Sequence, residues 1–239
     1  MTVSHTSEYA NVMAPERVPD SELRPGGGRT YEIVTAIYGR GLAAGLLVAL
    51  SPLWLAIALA IKLTSAGPVL FRAPVAGLNG RVFQYYKFRT MHVDGDHSEH
   101  ARWIQDFIRS DRPYTRDSNG LPVYKLTDDP RVTPVGRWLR RFSLDEIPQL
   151  LNVVRGEMNI VGPRPPVLYE YELYGPNERR RLAVKPGITG LYQVQMRGRA
   201  RFSDMLRLDL EYIRRRSLWL DLQILPRTLW TVLKGEGAV

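Results

Sequence analysis

The longest uninterrupted apolar stretch of the chain runs from Gly41 to Ile61, with no charged side chain between Arg40 and Lys62. At a rise of about 1.5 Å per residue such a helix is about 30 Å long, the thickness of the hydrocarbon layer of a bilayer. Ser51-Pro52 falls at its middle. Proline removes one helical hydrogen bond there and crowds the preceding turn, so the pattern predicts a kink. A kinked apolar helix either spans the bilayer or enters, bends and returns to the same face. The flanking cations are Arg29 and Arg40 before the run and Lys62 and Arg72 after it. They give too little asymmetry to orient it, and the residues alone favour a span.

Beyond this run, β-branched and aromatic residues predict strands over Pro68–Phe71 and Arg81–Tyr86, joined by a turn at Gly77–Gly80. A helix is predicted near 98–109, a helical pattern from Val132 to Val154, another from Tyr169 to Leu182, and one over 203–214. In Ser217 to Lys234, Leu218, Leu222, Leu225, Leu229, Val232 and Leu233 fall at helical spacing, with Trp219 and Trp230 beside them and Pro226 within. That row either packs on the core or lies on a bilayer surface, where Trp, Arg and Lys belong. Residues 1–30 are rich in Ser, Pro, Glu and Gly and read as a disordered polar tail. The fold class is therefore α/β, helix-rich, with a small sheet.

Composition narrows the partners. A formal net charge of +9 over 239 residues fits nucleic acid, an anionic membrane or a phosphate-rich substrate. The absence of cysteine excludes disulfides and thiolate metal sites. No secretory signal is evident, because the apolar run begins after residue 40 and lacks a small-residue cleavage site.

Candidate chemistry is densest over 128–166. Ser143-Leu-Asp145-Glu146 has the spacing of a helix capping box, yet Pro148 sits awkwardly within the first two turns of such a helix. Either way two carboxylates stand together at or just before a helix start, a place that favours an ionised acid near phosphate oxygens. Arg137, Arg140 and Arg141 read as a solvated face, whereas Arg164 is fixed between Pro163 and Pro165 after Gly162, a rigid turn that suits phosphate recognition by a planar fork. Asp128-Asp129 before Pro130 forms a turn or holds a divalent metal, the turn being favoured. Lys87 follows a predicted strand, and Pro186–Gly190 reads as a tight turn leading to Gly198-Arg199. No P-loop, GxGxxG, Ser/His/Asp order or His-rich cluster is present. His5, His92, His97 and His100 all lie in polar segments and receive no role.

Taken in order, the Ser51-Pro52 run, YKFRTM (86–91), DDPRVTPVGRWLRRFSLDEIPQLLNVVRGEMNIVGPRPP (128–166), KPGITGLYQV (185–194) and SLWLDLQIL (217–225) resemble the monotopic phosphoglycosyl transferases, also called bacterial sugar transferases. The resemblance covers nearly everything after residue 30. It implies transfer of a sugar-1-phosphate from a UDP-sugar to undecaprenyl phosphate, with release of UMP and with Mg²⁺ as cofactor. It places the nucleophile at Asp145, beside Glu146, with Asp145 also reaching the metal. It places substrate and phosphate binding at Lys87, Arg140, Pro163, Arg164 and Arg199. The Ser51-Pro52 break is implied to bend a re-entrant helix, which replaces the span as the expectation. The implied layout is a tail (1–30), a membrane helix (31–65), a catalytic domain (66–216) on the cytoplasmic face of the bacterial inner membrane, and an interfacial amphipathic helix (217–239). Gly39 stands where the family carries an Asp, Val75 where it carries an Arg, and 195–197 are about two residues longer than usual. Two other readings stay open: a metal-dependent glycosyltransferase releasing UDP, built on Asp128-Asp129, and a membrane-tethered module binding nucleic acid. The oligomeric state stays open between monomer and homodimer, as do the sugar and the polymer built from it.

Overall fold

A computed structural model describes residues 23–93, 98–110, 112–116, 120, 122–124, 126–127, 129–196 and 198–234. The first 22 residues of the expected tail, His97, Asp128 and Arg197 lie outside that set. The apolar run forms two helices. The first, α1 (Gly28–Ala49), starts inside the stretch read as tail and is long and apolar enough to cross a membrane by length and composition. It breaks at Leu50, one residue before Ser51, and α2 (Ser51–Thr64) resumes with Pro52 in its first turn, where a missing N–H costs nothing.

One narrow stripe of α1, Tyr31, Thr35, Gly39 and Ala43, is buried at four-residue spacing. A Cβ on Gly39 would stand 3.9 Å from Ile160 and 4.0 Å from Val153, so this point of the helix rests against the body at ordinary van der Waals distance. α2 buries Ile57 and Ile61 against Phe88 and Leu139. Both helices thus pack on the same body, while Ile37, Val48, Leu55, Leu59 and Leu63 stay 60–76% exposed.

Next come β1 (Leu70–Ala76) and β2 (Val82–Phe88), an antiparallel pair whose turn at Gly77–Gly80 contains Asn79 at φ 53°. Helix α3 (Ser98–Ser110) and the short pair β3 (Thr115–Arg116) and β4 (Pro122–Val123) follow. The pattern read as one helix over 132–154 is three pieces: α4 (Pro134–Arg141), a 3₁₀ helix (Leu144–Gln149) and α5 (Leu150–Val154). Pro148 accounts for the middle piece, since an α-helix has no room for it there. The helix expected over Tyr169–Leu182 is also divided, into α6 (Leu168–Tyr171), α7 (Pro176–Arg179) and a 3₁₀ turn, because Gly175-Pro176 restarts the chain. In place of one small sheet there are three strand pairs among the described residues. The third is parallel, β5 (Asn159–Val161) with β6 (Gly187–Thr189). Helices α8 (Leu191–Met196), α9 (Phe202–Arg215) and α10 (Leu218–Lys234) complete the chain.

Helix α10 packs through Leu220, Asp221, Ile224 and Leu225 and turns Trp219, Leu222, Leu229, Trp230 and Leu233 outward, each 60–69% exposed. Asp221 is buried but accepts from the hydroxyls of Tyr31 (2.8 Å) and Tyr212 (2.9 Å), which ties α1, α9 and α10 at one point. A buried carboxylate is tolerated only with such donors.

Candidate active site

Two motifs remote in sequence meet first. Gly162 N donates to Thr189 O (2.8 Å), and Gly187 N donates to Pro163 O (2.9 Å). A Cβ on Gly187 would stand 2.1 Å from Gly162 N, so this backbone contact admits glycine alone. It seats the Pro163-Arg164-Pro165 turn on the Pro186–Gly190 turn. The Arg164 side chain projects from it exposed and without a hydrogen bond or ion pair among the described residues.

The acid pair is built differently. Helix α4 starts at Thr133, whose hydroxyl accepts from Gly136 N at 2.9 Å, and ends at Arg141. Ser143 then adopts φ 53°, ψ 21°, a left-handed conformation that costs a non-glycine residue of order 1–3 kcal/mol and that clusters at functional sites. Its hydroxyl is buried and makes no capping bond. The capping-box expectation is therefore corrected: Ser143 turns the chain and Asp145 and Glu146 occupy the first turn of the 3₁₀ helix. Asp145 is 6% exposed.

Lys87 reaches both acids from β2, with Nζ at 2.9 Å from Glu146 Oε1 and 3.4 Å from Asp145 Oδ2. Burial pulls its proton affinity down, but Glu146, Tyr85 and Asp145 outweigh that and hold Lys87 well above the usual lysine range. It is a fixed positive charge at any working pH. Asp145 Oδ1 has no hydrogen bond among the described residues. What docks the acids against Lys87 is Asn152, fully buried in α5. Its Nδ2 donates to Gln84 O (2.6 Å) and to Glu157 Oε2 (2.7 Å), and its Oδ1 accepts from Tyr86 N (3.3 Å).

The arginines of α4 sort by spacing. Arg137 and Arg141 are exposed, while Arg140 is half-buried and donates from Nε to Thr90 Oγ1 (3.0 Å). Burial lowers the proton affinity of Arg140, and the charge of the nearby Asp145 acts against that. Asp129 is engaged through both oxygens by Arg131, at 2.8 and 2.6 Å. This guanidinium lowers its proton affinity and occupies the positions a metal would need. Arg199 lies exposed on the turn after α8, its N–H bonded to Met196 O. His100 of α3, given no role from sequence, meets the hydroxyl of Tyr169 at 2.7 Å. Burial and then Arg164, Arg131 and Arg140 depress its pKa to about 4.

The family model for the bacterial sugar transferases matches residues 30–235. The chain belongs to that family. It is 39% identical over 219 residues to the exopolysaccharide production protein ExoY of Sinorhizobium fredii, covering 90% of this chain and 91% of that one. The galactosyl transferase CpsE of Streptococcus agalactiae is 43% identical over 173 residues, 72% of this chain but 36% of CpsE. A UDP-glucose:undecaprenyl-phosphate glucose-1-phosphate transferase of Caulobacter vibrioides is 41% identical over 228 residues, 90% of this chain and 77% of that protein. The chain thus spans most of some curated relatives and little more than a third of others.

Two of the three departures expected from the resemblance have distinctive surroundings. Gly39 belongs to the buried stripe of α1, facing Ile160 and Val153, where a carboxylate would meet only hydrocarbon. Val75 is 1% exposed in the main core, opposite Phe83. The acid pair fits Mg²⁺: two adjacent carboxylates, one with an unbonded oxygen, match an ion that takes one or two protein carboxylates plus substrate phosphates. No group of three potential ligands occurs among the described residues, so no all-protein cage is built.

Proposed function

We propose that this chain transfers a sugar-1-phosphate from a UDP-sugar to undecaprenyl phosphate, releasing UMP and initiating an exopolysaccharide or other glycoconjugate. The observation that carries this reading is Asp145, buried beside Glu146, with Lys87 on one oxygen and no hydrogen bond to the other among the described residues. Among the donors in the relatives' names, UDP-glucose is the first to test.

Lys87 orients the Asp145 carboxylate through Oδ2 and leaves Oδ1 to attack. In the first step Oδ1 bonds to the sugar-bearing phosphorus, the bond from that phosphorus to the bridging oxygen breaks, and UMP leaves with the electron pair. In the second step an oxygen of undecaprenyl phosphate attacks the same phosphorus. The Asp145 carboxylate departs, and a diphosphate-linked sugar is released. Arg164 and Arg140 neutralise charge on the phosphates, a task of positioning and electrostatics. A Mg²⁺ held by Asp145 and Glu146 would supply Lewis-acid polarisation of the phosphoryl oxygens.

The test is a UMP burst, stoichiometric with enzyme, from UDP-glucose without lipid acceptor, together with a phosphosugar mass shift on Asp145 after acid quench. Release of UDP in place of UMP would support the rival glycosyltransferase, which the Asp129–Arg131 pair disfavours. Salt-sensitive DNA binding unaffected by Asp145→Asn would support the nucleic-acid reading.

The same proposal sets the chain at the cytoplasmic face of the bacterial inner membrane. Helices α1 and α2 form a re-entrant pair and the outward Trp and Leu side chains of α10 lie in the interface. What supports this is that α1 and α2 rest on one body while their other sides expose large apolar residues. The chain has no cysteine, so single cysteines introduced at Arg29 and Thr64 report cleanly. Labelling of both from the cytoplasmic side is expected, and labelling of either from the periplasm would sink the re-entrant arrangement.

A further inference from the structure

Arg164 works only if its turn is held still, and one side of that turn is held by the glycine contact described above. The other side meets Arg181. This residue lies in Arg179-Arg180-Arg181 and is 2% exposed. Its fork is almost fully spent. Nε and Nη2 both lie 2.7 Å from Asp209 Oδ2, Nη1 donates to the Tyr174 hydroxyl, and Nη2 donates to the backbone carbonyl of Arg164 at 3.2 Å. Tyr174 in turn donates to Glu170 Oε1, which stands 3.8 Å from Arg181 Nη1. A buried guanidinium needs partners for all of its N–H donors, so burial alone explains a full set of bonds but not which carbonyl completes it. Here that carbonyl belongs to Arg164, the residue between the two prolines.

We infer that Arg181 is a positioning residue for donor binding. It pins the carbonyl of Arg164 while β6 pins that of Pro163, so that two successive carbonyls of the turn are fixed and the Arg164 fork is presented to the donor diphosphate in one orientation. This rests on the proposed role of Arg164. Two arginines, one buried and one exposed, then act as a unit across 17 residues of sequence. Lysine at 181 keeps the charge beside Asp209 but has no planar fork to reach Asp209, Tyr174 and the carbonyl together.

The experiment is a double-mutant cycle in the full-length enzyme, reading kcat and KM for UDP-glucose from UMP release, with Arg164→Ala, Arg181→Lys and the pair. Arg181→Lys is expected to raise donor KM about tenfold with kcat changed less than about twofold, and to add less than about twofold in the Arg164→Ala background. Tyr174→Phe removes one hydroxyl and serves where Arg181→Lys fails to fold; it is expected to raise donor KM about threefold, again only when Arg164 is present. Equal effects of Arg181→Lys and Tyr174→Phe with and without Arg164 would overturn the inference and leave Arg181 as a packing residue. Should Arg164→Ala alone leave donor KM unchanged, the premise falls and the inference with it, whatever Arg181 does.

Discussion

Asn152 offers a demanding test of how the acid pair is set against Lys87. It is fully buried, and three of its hydrogen-bonding positions are used: by Gln84 O and Tyr86 N on the free edge of β2, and by Glu157. Asn152→Ala would strand a partly buried carbonyl and a partly buried N–H on the strand that carries Lys87, and would leave the Glu157 carboxylate without its donor. Stranding a buried polar group costs about 1–3 kcal/mol, so three groups that relax only in part give a loss of about 4 kcal/mol. For a chain of this size 1 kcal/mol moves Tm by about 2–4 °C, which predicts a fall of about 12 °C. The assay is thermal unfolding in one detergent, followed by intrinsic fluorescence, with UMP release measured at a temperature where both proteins are folded. Rate should fall further than stability explains, by about tenfold, because Lys87 and Asp145 lose their common register. A variant melting within about 2 °C of the parent would show that this side chain is not what docks α5 on β2.

Three further outcomes follow from the same geometry. Lys87→Met should lower kcat by about 10²-fold and also lower Tm, since it leaves the buried Asp145 without its cation; retention of a third of the activity at a temperature where the variant is folded would remove Lys87 from the mechanism. His100 gives a pH signature. Its folded pKa of about 4 lies below the ordinary histidine value of 6.5, so the unfolded chain takes up a proton first, and stability falls as pH drops from 6.5 towards 4. Urea titrations should show a loss of up to about 3 kcal/mol across that window, absent in His100→Gln, and identical pH profiles would count against burial among Arg164, Arg131 and Arg140. Gly187→Ala should abolish folded enzyme, since its Cβ would stand 2.1 Å from Gly162 N, whereas Gly45→Ala, with nothing within 4 Å, should leave expression and turnover intact.

Much of the site was legible because its motifs are short and local. Asp145-Glu146 and Pro163-Arg164-Pro165 stand out from their neighbours in sequence, whereas Lys87 entered only through the family resemblance; the structure brings the acids and the lysine together. What could not be read depends on contacts across the fold. Arg181 looks no different from Arg179 and Arg180 in sequence; only the approach of Asp209 and Tyr174 buries it. Asn152 sits in an apolar run where an amide resembles an ordinary helix residue, and its partners on β2 lie more than 60 positions away. The 132–154 helix failed at Ser143 and Pro148, because hydrophobic periodicity is blind to a left-handed residue and to a 3₁₀ stretch. The parallel β5–β6 pair was missed because three-residue strands carry no periodic signal.

Arg89 deserves a final thought because of where it ties the chain. It is 6% exposed, two positions after Lys87, and its guanidinium donates to Ala66 O, Ser65 O (2.8 Å) and Ser65 Oγ (2.9 Å) at the exit of α2. The next residue, Thr90, takes the hydrogen bond from Arg140. One four-residue stretch is therefore shared between the exit of the apolar helices and the candidate site, with no slack between them. Anyone building chimeras should move the junction beyond Gly67, since a graft ending at Thr64 would exchange the apolar segment and sever its mechanical link to Lys87.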